Sequence, residues 1–79
     1  MKKVLITGGA GYLGSLISTI FLEKGYKITV LDNLMHKKNT LNHLLKKNNF
    51  NFIKGDVRDS ILYKKLIKEN DIILPLAGI

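Results

Sequence analysis

Apolar residues along the chain alternate between short unbroken runs and stripes at helical spacing. Lys3 to Thr7 is a run of strand type that stops at Gly8-Gly9. Leu13, Leu16, Ile17, Ile20 and Phe21 then recur at i, i+3, i+4, i+7 and i+8, which predicts a helix buried along that stripe. The stripe gives out at Glu23-Lys24-Gly25, with Gly25 placed to end the helix in a left-handed turn. Residues 27–31 form a second, β-branched strand and 50–54 a third, and 71–77 are expected to be a fourth. Between the second and third, residues 40–47 predict a short helix with Leu41, Leu44 and Leu45 on one side and Asn39 or Thr40 as its cap. A last helix starts at Asp59 or Ser60, with Leu62 and Leu66, and Tyr63 and Ile67, as i, i+4 pairs. Strand alternating with helix is the signature of an α/β domain with a parallel sheet and right-handed crossovers.

The first strand-to-helix junction carries the chemistry. It reads Thr7-Gly8-Gly9-Ala10-Gly11-Tyr12-Leu13-Gly14. Unpaired N–H groups and the positive dipole end at a helix start bind anions, and glycine lets a diphosphate approach without meeting a Cβ. In this pattern Gly8 makes the tight turn, Gly11 leaves room for a pyrophosphate, and Gly14 lets the helix lie close on the strand. Asp32 ends the second strand about 20 residues on, where dinucleotide-binding units place an acid that accepts hydrogen bonds from the adenosine ribose. A turn aspartate is the plainer reading of Asp32-Asn33 taken alone.

These residues resemble the extended short-chain dehydrogenase/reductase family, and within it the NAD-dependent epimerase/dehydratase group that acts on nucleotide sugars. Thr-Gly-x-x-Gly-x-x-Gly is matched by Thr7 to Gly14, and Asp32-Asn33-Leu34 follows the second strand. Gly55-Asp56-Val57-Arg58-Asp59 follows the third. Leu74-Pro75-Leu76-Ala77-Gly78 stands where the family often has His-x-Ala-Ala, so Pro75 and Gly78 depart from the pattern. The resemblance covers essentially the whole chain. It implies a Rossmann-type sheet in the order 3-2-1-4 within residues 1–79, as the amino-terminal part of one NAD(P)-binding domain. It also implies NAD as cofactor, held by Gly8, Gly11, Tyr12, Leu13, Gly14, Asp32 and Asn33. Asp56 would accept from the adenine amino group, Val57 would lie against the ring, and Leu76 and Ala77 would offer backbone contacts.

The family's catalytic pair is Tyr-x-x-x-Lys, in which the lysine lowers the tyrosine pKa so that the phenolate acts as a base. Tyr12, Tyr26 and Tyr63 are followed four places on by Leu16, Val30 and Ile67. No catalytic residue is therefore assigned in these 79 residues. Two functions remain open: the cofactor-binding part of a nucleotide-sugar epimerase/dehydratase, or a non-catalytic dinucleotide-binding module whose sheet a partner completes.

Composition narrows the partners. Thirteen basic and six acidic residues give a net charge of +7, which raises nucleic acid as a ligand. The lysines are scattered and no aromatic residues are interleaved as stacking platforms, so a solvated surface is expected instead. There is no cysteine, His36 and His43 are not spaced as metal ligands, and no apolar run approaches the ~20 residues of a membrane helix. A cytoplasmic protein is the expectation. An apolar fourth strand on an unpaired edge predicts self-association.

Overall fold

The computed structural model describes residues 1–8, 12–33, 44 and 46–76. Their elements are β1 (Lys3–Thr7), α1 (Tyr12–Glu23), β2 (Lys27–Asp32), β3 (Phe50–Lys54), α2 (Ser60–Glu69) and β4 (Ile72–Pro75). All strand pairs are parallel and the sheet order is β3-β2-β1-β4. The predicted topology is the observed one. Of the predicted helix over 40–47, only Leu44 and residues 46–47 lie among the described residues; Leu44 is buried against the sheet. The fourth strand runs over Ile72–Pro75, within the predicted 71–77, and Ala77 lies outside the described residues.

The period-2 alternation of the strands sorts the core into two layers. Val4, Ile6, Ile28, Val30 and Phe50 point to one face, where Ile17, Phe21 and Leu22 of α1 and Ile72, Leu74 and Leu76 pack. Leu5 and Leu31 point to the other, against Leu66, Leu62 and Tyr63 of α2, together with Ile53, Val57 and Ile73. Asp71 ties β4 to β1 at its start: its carboxylate accepts the Lys3 N–H at 2.9 Å, and its own N–H donates to the Lys3 carbonyl at 2.8 Å.

The helix ends follow the sequence signals. Gly25 has φ +92°. Its N–H donates to the Leu22 carbonyl and the Tyr26 N–H to the Phe21 carbonyl, each at 3.1 Å, which is the Schellman pattern. The accompanying apolar contact is present as well, with the Phe21 and Tyr26 rings 5.1 Å apart. At α2, Asp59 is the cap, its carboxylate accepting the Leu62 N–H at 3.2 Å.

The buried face of α1 departs from the predicted stripe. Leu13, Leu16 and Ile20 are 47%, 45% and 44% exposed, while Ser15 and Ser18 are buried, and so is Gly14. Only Ile17 and Phe21 of the stripe turn inward. Gly14, Ser15 and Ser18 have little or no side chain, so that arc of the helix is buried without the bulk that leucines would bring. The i, i+4 reading of α2 holds for Leu62 and Leu66, whereas Ile67 is exposed.

Candidate functional site

Three strands end at one rim. The register sets Thr7 opposite Leu31 and Asp32 opposite Lys54, so the residues that follow β1, β2 and β3 converge without any long-range loop. Gly8 leaves β1 with φ +75°, a conformation that costs an L side chain about 1 kcal/mol or more. Its N–H donates to the Leu31 carbonyl at 2.8 Å, and the Gly55 N–H donates to the Asp32 carbonyl at 3.0 Å. These two bonds stitch the rim together. They also commit the Gly8 N–H to the sheet, leaving Gly8 the role of turn former rather than anion donor.

A cleft of about 120 Å³ opens there, lined by Gly8, Leu31, Asp32, Asn33, Gly55, Asp56 and Val57. Five of the residues singled out from the sequence thus come together: Gly8, Asp32, Asn33, Asp56 and Val57. Larger recesses of about 330 and 550 Å³ lie elsewhere, one beside the end of α1 and one along the outer face of α2. Neither contains any of those five, and the second is an open lysine-fringed surface, so size does not mark the site here.

Asp56 is held by two parts of Arg58 in the cleft. Its Oδ1 accepts the Arg58 backbone N–H at 2.9 Å, and Arg58 Nη2 donates to Oδ2 at 2.7 Å. The guanidinium hydrogen bonds first, and the backbone bond second, hold the Asp56 carboxyl down at about 2 from an ordinary value of 3.8. Arg58 is shifted upward by the same pairing. Asp56 is therefore an anion at any physiological pH.

The other predicted contacts are placed differently. Tyr12, Leu13 and Gly14 form the first turn of α1, immediately beyond the glycine turn. Leu13 is half-exposed and Gly14 buried. Leu76 follows β4 and packs into the α1-side core, and its N–H is used by the Thr7 carbonyl at 2.8 Å. Gly11 and Ala77, like residues 34–43, lie outside the described residues.

Gly55 had no role of its own in the sequence reading. A Cβ there would stand 2.7 Å from Leu62 Cδ2 and 3.1 Å from Leu31 Cδ1. Its bare backbone lets α2 close on β2 while forming one wall of the cleft. The signal was present, since glycine opened the Gly-Asp-x-Arg-Asp run, but the reason was a packing contact 7 residues away in α2.

A strand-end cleft beside a glycine turn, with acids after β2 and β3, defines the dinucleotide-binding type of α/β domain. The sequence profile of the family described as GDP-mannose 4,6 dehydratase matches residues 5–79. The chain belongs to this family, a group of NAD-dependent epimerases and dehydratases of Rossmann-like fold. The UDP-glucose 4-epimerase of Neisseria meningitidis serogroup B is 33% identical over 84 residues, which cover 100% of this chain and 25% of that enzyme. The dTDP-D-glucose 4,6-dehydratase of Dictyostelium discoideum is 42% identical over 85 residues, covering 99% and 19%. Among solved structures, the dTDP-glucose 4,6-dehydratase of Bacillus anthracis, in complex with NAD, superposes with a TM-score of 0.87 at 30% identity, covering 100% of this chain and 27% of that one. The chain thus spans about a quarter of the length of the relatives it matches. Among the described residues no helix is long and apolar enough to cross a membrane.

Proposed function

We propose that this chain binds NAD at the strand-end cleft and supplies the cofactor-binding part of a nucleotide-sugar epimerase or dehydratase. The observation that carries the reading is the convergence of Gly8, Asp32, Asn33, Asp56 and Val57 on one cleft. The residues fit the group. Asp32, at the end of β2, offers a carboxylate for ribose hydroxyls, and Asp56 offers an ionised acceptor for a purine amino group. The first turn of α1 with Gly11 before it supplies N–H donors and space for a diphosphate. Bound NAD supplies a hydride acceptor, which is the chemistry these nucleotide-sugar enzymes use. The chain's own part is to bind and orient that cofactor. No Tyr-x-x-x-Lys occurs in the 79 residues, so no proton-transfer residue is assigned, and the sugar nucleotide would meet residues outside those described.

Asp32 also sets the cofactor choice. A carboxylate against a 2′-phosphate brings like charges together, so NAD is favoured over NADP. Titration calorimetry with both cofactors tests this; equal affinity, or tighter NADP binding, would remove Asp32 from the site. Replacing Gly11 by Val should abolish binding while leaving the helical and sheet signal intact.

Self-association belongs to the same reading. Leu13, Leu16 and Ile20 stand exposed along α1, and β4 is the edge strand beside β1 with Ile72, Ile73 and Leu74 only half-buried. Exposed apolar area and an unpaired strand edge favour a second chain, against which the +7 charge acts at low salt. Light scattering at moderate salt should show an oligomer; a stable monomer would refute it. The chain is read as acting in the cytoplasm, which fractionation of the source cells would test.

A further inference from the structure

The turn after β3 pairs Asp56 with Arg58 at the surface: Arg58 is 87% exposed and Asp56 33%, and exposed ion pairs contribute little to stability. Yet the geometry is unusually complete for a surface pair. Oδ1 accepts the Arg58 backbone N–H at 2.9 Å and faces Nε at 3.2 Å. Oδ2 faces the same Nε at 3.1 Å and accepts from Nη2 at 2.7 Å. The single Nε hydrogen is shared by both oxygens, so three hydrogens make four contacts.

A carboxylate has about four acceptor sites. Arg58 therefore fills about three and fixes the plane of the group, leaving room for one further donor. The turn itself is closed by the Asp59 N–H on the Asp56 carbonyl at 2.9 Å, and Asp59 goes on to cap α2. The carboxylate is held by one backbone N–H and by the guanidinium, on a turn that is itself closed.

We propose that Arg58 is a positioning and specificity-determining residue: its fork holds Asp56 so that one acceptor site remains for the amino group of the purine, which selects adenine over a 6-oxopurine. This rests on the reading that Asp56 meets the adenine of NAD. A purine that carries a carbonyl in place of the amino group presents an acceptor to an acceptor, and the fixed carboxylate cannot turn away. Without the guanidinium the carboxylate keeps only the backbone N–H of residue 58 on Oδ1, so Oδ2 is no longer fixed and can turn to accommodate either base. Arg58 makes no contact with the cofactor in this proposal and acts through Asp56 alone.

The test compares the affinity of the full chain for NAD and for nicotinamide hypoxanthine dinucleotide, which lacks the amino group. The unsubstituted chain should prefer NAD by at least about tenfold, the worth of one hydrogen bond to a charged acceptor. Arg58→Ala should bring the ratio to within about twofold, with an unchanged circular dichroism spectrum. Arg58→Lys restores charge without the fork and should recover only part of the preference. If the unsubstituted chain binds both dinucleotides equally, the adenine role of Asp56 fails and this inference with it. If it prefers NAD and Arg58→Ala prefers it as strongly, Arg58 alone is excluded and the NAD reading stands. Tighter NAD binding by Arg58→Ala would show Arg58 to be a competitor for Asp56, the opposite of a positioning residue.

Discussion

The two helices cover opposite faces of one sheet by opposite means. α2 presents Leu66, Leu62 and Tyr63 to Leu5 and Leu31 and leaves its lysines in solvent. α1 presents Gly14, Ser15 and Ser18, flanked by Ile17, Phe21 and Leu22, and leaves Leu13, Leu16 and Ile20 half-exposed. The first is an amphipathic helix held by burial of large side chains. The second buries small residues, and in the proposed site its position matters more than its buried area, because its first turn follows in sequence from Gly8, which lines the cleft. A helix that serves an anion site must lie near the strand that precedes it, and small residues make that approach possible.

Truncation should hurt α2 most. Leu66 is 3% exposed, and Leu66→Ala should cost about 2–5 kcal/mol, most of the stability of a domain this small. Thermal melting would read it; a loss under 1 kcal/mol would mean α2 is not part of the core. Enlargement should instead hurt α1. Ser18 is fully buried, and Ser18→Leu should cost about 1–3 kcal/mol by overpacking and weaken NAD binding through the displaced first turn. Were the variant as stable and as tight a binder, the close-approach account of α1 would fall.

Ser18 also sharpens the contrast through its hydroxyl. Its Oγ is buried with no hydrogen-bond partner among the described residues, which costs stability. Ser18→Ala keeps the small volume and removes the orphan, so it should be neutral or stabilising by up to about 1 kcal/mol. A clear destabilisation would show that the hydroxyl has a partner.

Periodicity read α2 correctly and α1 wrongly for one reason. It locates large apolar residues, and in α2 those are the contact surface. In α1 the contact surface is partly glycine and serine, which carry no hydropathy signal. Nothing in the sequence alone separated the inward Ile17 and Phe21 from the outward Leu13, Leu16 and Ile20. The helix ends were legible because they rest on local signals, Gly25 for the Schellman turn and Asp59 for the cap, and the sheet order was legible through the family resemblance. The cleft was legible through its glycines and acids. The Asp56–Arg58 geometry and the Gly55 packing were not, since both depend on where the β3–α2 turn sits in space.

The smallest expected effect is a titration at the cleft. Asp56 titrates at about 2, below its ordinary 3.8, because of Arg58. The pair's small contribution to stability is therefore complete above about pH 4 and lost as pH falls towards 2. Arg58→Ala removes the guanidinium bonds and keeps the backbone N–H, so the Asp56 carboxyl should rise from about 2 part of the way towards 3.8, read by carbon NMR of the side chain, with little change at pH 7. An unmoved titration would mean that another group holds Asp56.

The central claim is that the rim formed by β1, β2 and β3 is a dinucleotide site. Titration calorimetry of NAD into the unsubstituted chain, Asp32→Ala and Asp56→Ala tests it most directly. The account predicts saturable binding that each substitution weakens by about tenfold or more, consistent with loss of a hydrogen bond to a charged acceptor, with both variants still folded. Binding that survives both substitutions unchanged, or a folded chain that binds no NAD, would contradict it.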